Sequence, residues 1–348
     1  MLREASAAHE ADWCEKTMSV LREKQFEACE RRLSALPAVG LFSDEATNAD
    51  AQALLESSFY LGEPGNDGLQ TISVLRQKVL KQLPIEALYL SRGECELLER
   101  LLASDGTITS DNWDEIAAAE ALTRRLWCVF TDHEDSWTLE AAQLLMDPLL
   151  LAYNRPEYLQ AREQLFRYDA TIGGLLYIAG FLHSDQPMAF FLKDVMGRKD
   201  VLAVNIAYRY LKASYEYVAD ERRGIMLLHP GLADPKRLIA MMGFSGEIQL
   251  SLSEESLAGG MNGILPEEEP LHANMLAALA GLTRPEWDEN DAAEDLRLLA
   301  KQGVTRPEME EVLSSMVVVL PTPEMKSAVR QLYDCTPHWI GMNANLRH

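Results

Sequence analysis

Thr283-Arg284-Pro285-Glu286 and Thr305-Arg306-Pro307-Glu308 are near-copies of one another, and Asn154-Arg155-Pro156-Glu157 is a close relative. Each reads as a helix start. The Thr or Asn oxygen can accept from an early helical N–H, and the Glu three residues on can reach back to the cap's own N–H. The Pro occupies the first turn, where a missing donor costs nothing. Asp147-Pro148, Asp234-Pro235 and Thr322-Pro323-Glu324 are shorter versions. Such dense initiation signals, with apolar residues at helical spacing between them, predict an all-α or mainly α chain. Its expected form is an irregular stack of short, capped helices.

Working outward from these signals, Trp13, Met18, Leu21, Phe26 and Leu33 give residues 10–36 an amphipathic pattern, which Pro37 and Gly40 end. Ile72, Leu75, Val79 and Leu83 repeat at helical spacing. The stretches 113–130, 139–151, 158–168, 172–182 and 201–218 read as further helices, the last with a stripe of Tyr208, Tyr210, Tyr215 and Tyr217 suited to helix packing. The best alternating stretch, Glu247-Ile248-Gln249-Leu250-Ser251-Leu252, lies among glycines at 243–263 and marks at most one small β element near 247–253. Texture suggests three regions: an N-terminal helical one at 1–105, a central apolar one at 106–243, and an acidic C-terminal one at 244–348 that opens with the Gly-rich loop.

With 47% hydrophobic and 25% charged residues over 348 positions, the composition is that of a globular chain with a sizeable core. The start carries no basic segment followed by an apolar run, so no secretory signal is expected. The apolar stretch 172–182 is interrupted by Gly173, Gly174 and Gly180 and falls well short of the roughly 20 residues of a membrane span. Cys14, Cys29, Cys95, Cys128 and Cys335 form no CxxC pair and are odd in number, as expected of reduced thiols in a cytoplasmic protein.

The net charge is −22 and is unevenly placed. Ser245–Leu320 holds 15 acidic and 4 basic residues, whereas Asp185–Ser245 holds 7 acidic and 9 basic. A field of that sign repels nucleic acid and anionic membrane and speeds encounter with a basic protein partner. The expected partner-binding residues are Glu267, Glu268, Glu269, Asp288, Glu289 and Asp291, which fall in loops and helix starts. Trp287 is the expected apolar anchor, with Met261 beside it as a second.

Other clusters carry less chemistry. Ser104–Trp113 resembles the second half of a calcium loop with Gly106 as its turn glycine, but the first, third and twelfth positions would be Leu101, Ala103 and Asn112, so three of the expected ligands are missing. Asp132-His133-Glu134-Asp135 is dense in potential metal ligands yet has no spaced partner to complete a shell. His183 and His229 follow apolar runs and suit helix ends or loops. Walker, GxSxG, dinucleotide and Cys–His signatures are absent from the sequence. No cofactor, metal or catalytic set is therefore expected. The expected role is a non-enzymatic protein-interaction module of adaptor, inhibitor, immunity or secretion-regulator type. The alternatives are an enzyme whose site is assembled from dispersed residues, such as metal-assisted hydrolysis, or a small-ligand sensor.

Overall fold

The computed structural model describes residues 33, 36–37, 39–63, 71–220, 224–232 and 253–339. Of the predicted helix at 10–36, only residues 33 and 36 are among them. The alternating stretch 247–252 and Asp234-Pro235 lie outside them. Helix accounts for 60% of the described residues, which also form two small three-stranded sheets. The mainly α expectation therefore holds, with small β elements among the described residues.

In chain order the elements are α1 (Ala51–Ser57), α2 (Ile72–Glu86), α3 (Arg92–Ala103), β1 (Thr107–Ser110), α4 (Ile116–Arg124), β2 (Cys128–Asp132), β3 (Trp137–Ala141), α5 (Gln143–Tyr153) and α6 (Glu157–Ala179). There follow β4 (Phe181–His183), α7 (Asp185–Phe190) with a π turn to Val195, α8 (Val201–Ser214), β5 (Tyr217–Asp220) and β6 (Gly224–Leu228). After residues 233–252 come α9 (Glu254–Met261), α10 (Glu269–Leu279), α11 (Glu289–Lys301), α12 (Arg306–Met316) and α13 (Pro323–Cys335).

The two sheets repeat one topology. In each, the last strand is central and antiparallel to both others, giving the orders β1-β3-β2 and β4-β6-β5. Each first strand leaves a helix through a glycine in the left-handed region, Gly106 at φ 89° and Gly180 at φ 81°, where a Cβ would strain the backbone. Each sheet then closes through a helical excursion and a short hairpin. A repeat built this way leaves little trace in sequence, because the two excursions differ in length and the hairpin loops differ in residues.

Several predicted helices stop short of their expected ends. The helix expected to reach residue 130 ends at Arg124. Leu126 then takes φ 63°, and Cys128–Asp132 pairs with Trp137–Ala141 from Cys128↔Ala141 to Asp132↔Trp137. Likewise Leu139–Ala141, Phe181–Leu182 and Tyr217–Val218, read as helix from their apolar content, are strand. Strands of three to five residues are too short to show alternation, so cross-strand pairing decides them.

Capping signals fare unevenly. Thr322 accepts from the Met325 N–H at 3.3 Å and starts α13, with Pro323 in its first turn. Thr305 starts α12, and both its N–H and its hydroxyl donate to Glu308, at 2.7 and 2.6 Å. Thr283-Arg284-Pro285-Glu286 starts no helix. Thr283 bridges Val317, the Arg284 N–H donates to the Met316 carbonyl at 2.9 Å, and the helix waits until Asp288 caps α11. Asp147-Pro148 lies inside α5.

The described residues group into two compact units whose segments alternate along the chain. One takes the described residues up to Asp169 together with Asp185–Tyr215; the other takes Ala170–Ser184 and the described residues from Glu216 onward. The core of the first gathers Leu75, Val79 and Leu83 of α2, Leu98 and Leu101 of α3, and Trp127, Trp137 and Leu139 around the first sheet. The second packs Met275, Leu279, Leu296, Leu313, Met325 and Leu332 from α10 to α13. Among the described residues no helix is long and apolar enough to cross a membrane.

Candidate functional site

The acidic segment belongs to the second unit, and its carboxylates divide into those that build the fold and those that face solvent. Glu268 builds. It was expected at the surface, but it is fully buried: one oxygen accepts from Lys301 Nζ at 2.5 Å, and the other from the Tyr177 hydroxyl and, at 3.0 Å, from the Leu265 N–H. The reason lies in α11. Arg297 and Lys301 share the inward stripe of Ala293, Leu296 and Ala300, so folding carries two cations into the interior, where a carboxylate must meet them.

Asp288 is exposed but engaged as the N-cap of α11, accepting from the Asn290 and Asp291 N–H groups at 2.8 and 3.3 Å. Glu289 is half-buried and accepts from the Gly281 N–H at 2.6 Å. Glu267, Glu269 and Asp291 are exposed. Glu269 and Asp291 lie in the first turns of α10 and α11, where the helix dipole favours negative charge. Burial, then Glu294 and Asp291, raise Asp295 to about 6, so this face is crowded with like charge. Trp287, the expected anchor, is half-buried and packs against the core of α10–α13, whereas Met261 is exposed on α9.

Around Glu268 the interior is unusually polar. Arg297 donates to the Gly263 carbonyl at 2.9 Å, and its guanidinium carbon lies 5.8 Å from the Tyr177 ring centre. The Arg297 Nε and Nη1 are buried and meet no hydrogen-bond partner among the described residues. Lys301 Nζ sits 4.4 Å from the same ring centre. Burial pulls the Lys301 ammonium below the usual lysine range, with Glu268 opposing. His229 packs on Tyr177 and Trp339 and accepts from the Gly231 N–H at 3.0 Å. Burial, then Lys301, lowers it to about 4, so it is neutral near pH 7 and its role there is packing.

The first unit has its own buried ion network, which the sequence reading missed. Arg125 reaches Glu86 and Glu94 at 2.5 Å each; Arg209 reaches Glu86 at 2.8 Å and also Glu63; and Lys78 holds Glu63 at 2.6 Å. Glu94 completes a capping box with Ser91 as well. These groups tie α2, α3, α8 and the turn after α4 through charges that are fully buried, save the partly exposed Lys78. Tyr210 on α8 and Tyr215 at its C-terminal cap also bind specifically: their hydroxyls donate to Asp169 at 2.7 and 2.6 Å.

The remaining candidates lie apart from this acidic face in the sequence. Asp132 ends β2 and His133-Glu134-Asp135 lie in the β2–β3 hairpin turn, where His133 Nε2 meets the Thr138 hydroxyl at 3.1 Å. Among the described residues no three His, Cys, Asp or Glu side chains are grouped to hold a metal ion. Gly106 turns the chain from α3 into β1. Cys95 and Cys128 are buried, Cys335 is exposed, and all three are free thiols. No known family, curated protein or solved structure matches this chain.

Proposed function

We propose that the chain is a protein-interaction module whose partner surface is the acidic face of the second unit and whose partner is basic. One observation carries the reading. From Glu254 to Glu311, thirteen of the fourteen carboxylates reach solvent at least in part, against two basic side chains, Arg284 and Arg306. Burial removes two of the four cations, Arg297 and Lys301, but only one carboxylate, Glu268. The surface is thus more one-signed than the sequence count implies. Such a field raises the encounter rate with a cationic protein and disfavours anionic surfaces.

The first unit supports the same reading against nucleic acid. Near the start of α8, Arg198 is held by Asp200 at 2.5 Å, and Lys193 lies 3.8 Å from Asp194, so these cations are locally compensated. Phosphate tracking needs uncompensated cations in a row.

The test is affinity capture on the immobilised full chain and, in parallel, on an E267Q/E269Q/D291N variant. Glu268 stays intact because its loss would strike the interior. The reading expects basic proteins that salt elutes from the wild type and that the variant fails to retain. Identical capture by both surfaces would overturn it.

A further inference from the structure

Three consecutive apolar side chains, Val318, Val319 and Leu320, stand 58%, 41% and 90% exposed. Single exposed apolar residues need no explanation, but a consecutive run is unfavourable unless it is used. This run is also held in place. The chain leaves α12 at Val317 in extended conformation (φ −110°, ψ 152°), and Val317 is buried. Thr283 bridges Val317, the Val318 N–H donates to the Leu282 carbonyl at 3.0 Å, and the Val317 carbonyl takes the Arg284 Nε–H at 3.1 Å. Beyond it, Thr322 caps α13 and fixes the far end. Among the described residues no backbone hydrogen bond engages Val319 or Leu320. Among the described residues the apolar edge is thus presented by its neighbours and left exposed.

Its setting identifies what would cover it. Glu310 and Glu311 precede the run on α12 and Glu324 follows it, and the segment bridged to it leads into Glu286, Asp288 and Glu289, with Arg284, Arg306 and Lys326 as the nearby cations in sequence. A second copy of this chain would bring the same acidic frame against itself, and like charges in contact oppose association. An anionic membrane meets the same repulsion.

Resting on the proposed protein-interaction function, we infer that Val318–Leu320 is the apolar anchor of the partner surface, and that its occupant is a cationic segment of a partner protein carrying apolar side chains. The carboxylates set the encounter rate, and the three apolar side chains set the residence time.

The experiment uses the full chain and two synthetic peptides of equal charge, one alternating lysine with leucine and one alternating lysine with serine. Binding is read by fluorescence anisotropy at about 0.15 M salt. The wild type should prefer the lysine–leucine peptide by about tenfold or more. V318S/L320S should abolish that preference without changing affinity for the lysine–serine peptide. E286Q/E311Q should weaken both peptides. A preference that is absent, or that survives V318S/L320S, overturns the anchor while leaving the acidic-surface reading intact. Affinities unmoved by E286Q/E311Q overturn that reading instead, and no binding of either peptide overturns both. Self-association of the wild type in sedimentation velocity, lost in V318S/L320S, would assign the patch to a second copy and also overturn the inference.

Discussion

Arg209→Met keeps an apolar stem and deletes a guanidinium that serves three acceptors: Glu63, Glu86 at 2.8 Å and Gln82 at 2.8 Å. Both carboxylates are fully buried. Stripping one partner from a buried pair costs about 3–5 kcal/mol, because a charge is left in the interior uncompensated. Here Glu86 keeps Arg125 at 2.5 Å and Glu63 keeps Lys78 at 2.6 Å, which favours the lower end, about 3 kcal/mol. For a domain of this size that loss lowers Tm by about 6–12 °C. The pH dependence has a definite sign. In the wild type, burial pushes Glu86 up, but Arg209 and Arg125 outweigh it and hold the carboxyl below its ordinary value. Its contribution is therefore present above the unfolded pKa and is lost as pH falls through the lower, folded value. Glu63 already sits above its ordinary value, chiefly from burial. Without Arg209 both carboxyls move upward, so the variant's deficit is full at neutral pH and shrinks as they take up protons. Urea unfolding followed by far-UV circular dichroism, for wild type and variant at about pH 7 and pH 4.5, reads both effects. A deficit under about 1 kcal/mol at pH 7, or one that does not narrow at pH 4.5, would refute the assignment of a coupled buried network.

Three further outcomes are expected. Lys301→Met should destabilise by about 3 kcal/mol, and adding Glu268→Gln should recover more than half of the loss; purely additive losses in a double-mutant cycle would show that the pair is not coupled. In a C14S/C29S background, Cys335 should react quickly with a thiol reagent. Cys95, raised to about 11 by burial, and Cys128, also raised by burial, should stay inert until denaturant is added; three equal rates would contradict the burial of those thiols. Gly180→Ala forces a Cβ into the left-handed region and within 2.8 Å of Trp339 Cδ2, costing about 2 kcal/mol or more, whereas Gly173→Ala meets nothing within 4 Å and should be neutral or slightly stabilising in thermal melts.

What the sequence made legible was what local physics decides. Thr305 and Thr322 start helices as their spacing predicts, because caps act on N–H groups two or three residues away. Thr283 carries the same four-residue signal and starts none, because a distant segment at Val317 claims its backbone first. The strands were missed for the same reason: Cys128–Asp132 and Phe181–His183 become β only by pairing with chain elsewhere. At the candidate surface, charge sign was readable but burial was not. Glu268 looks like its neighbours in sequence, and only the inward turn of Lys301 separates it from Glu267 and Glu269. That inward turn was visible in principle, since Arg297 and Lys301 fall at the spacing of Ala293, Leu296 and Ala300, the stripe that α11 buries.

The central claim is that carboxylates facing solvent, and not those built into the interior, govern association. The most direct measurement is the association rate of the lysine–leucine peptide with wild type and with E267Q/E269Q/D291N, taken by stopped flow across about 0.03–0.5 M salt. The account predicts a wild-type rate that falls steeply with salt, and a variant rate that starts lower and falls less, the two converging as screening removes the field. Equal rates and equal salt slopes for the two proteins would contradict it, and would leave the acidity of this surface a matter of solubility alone.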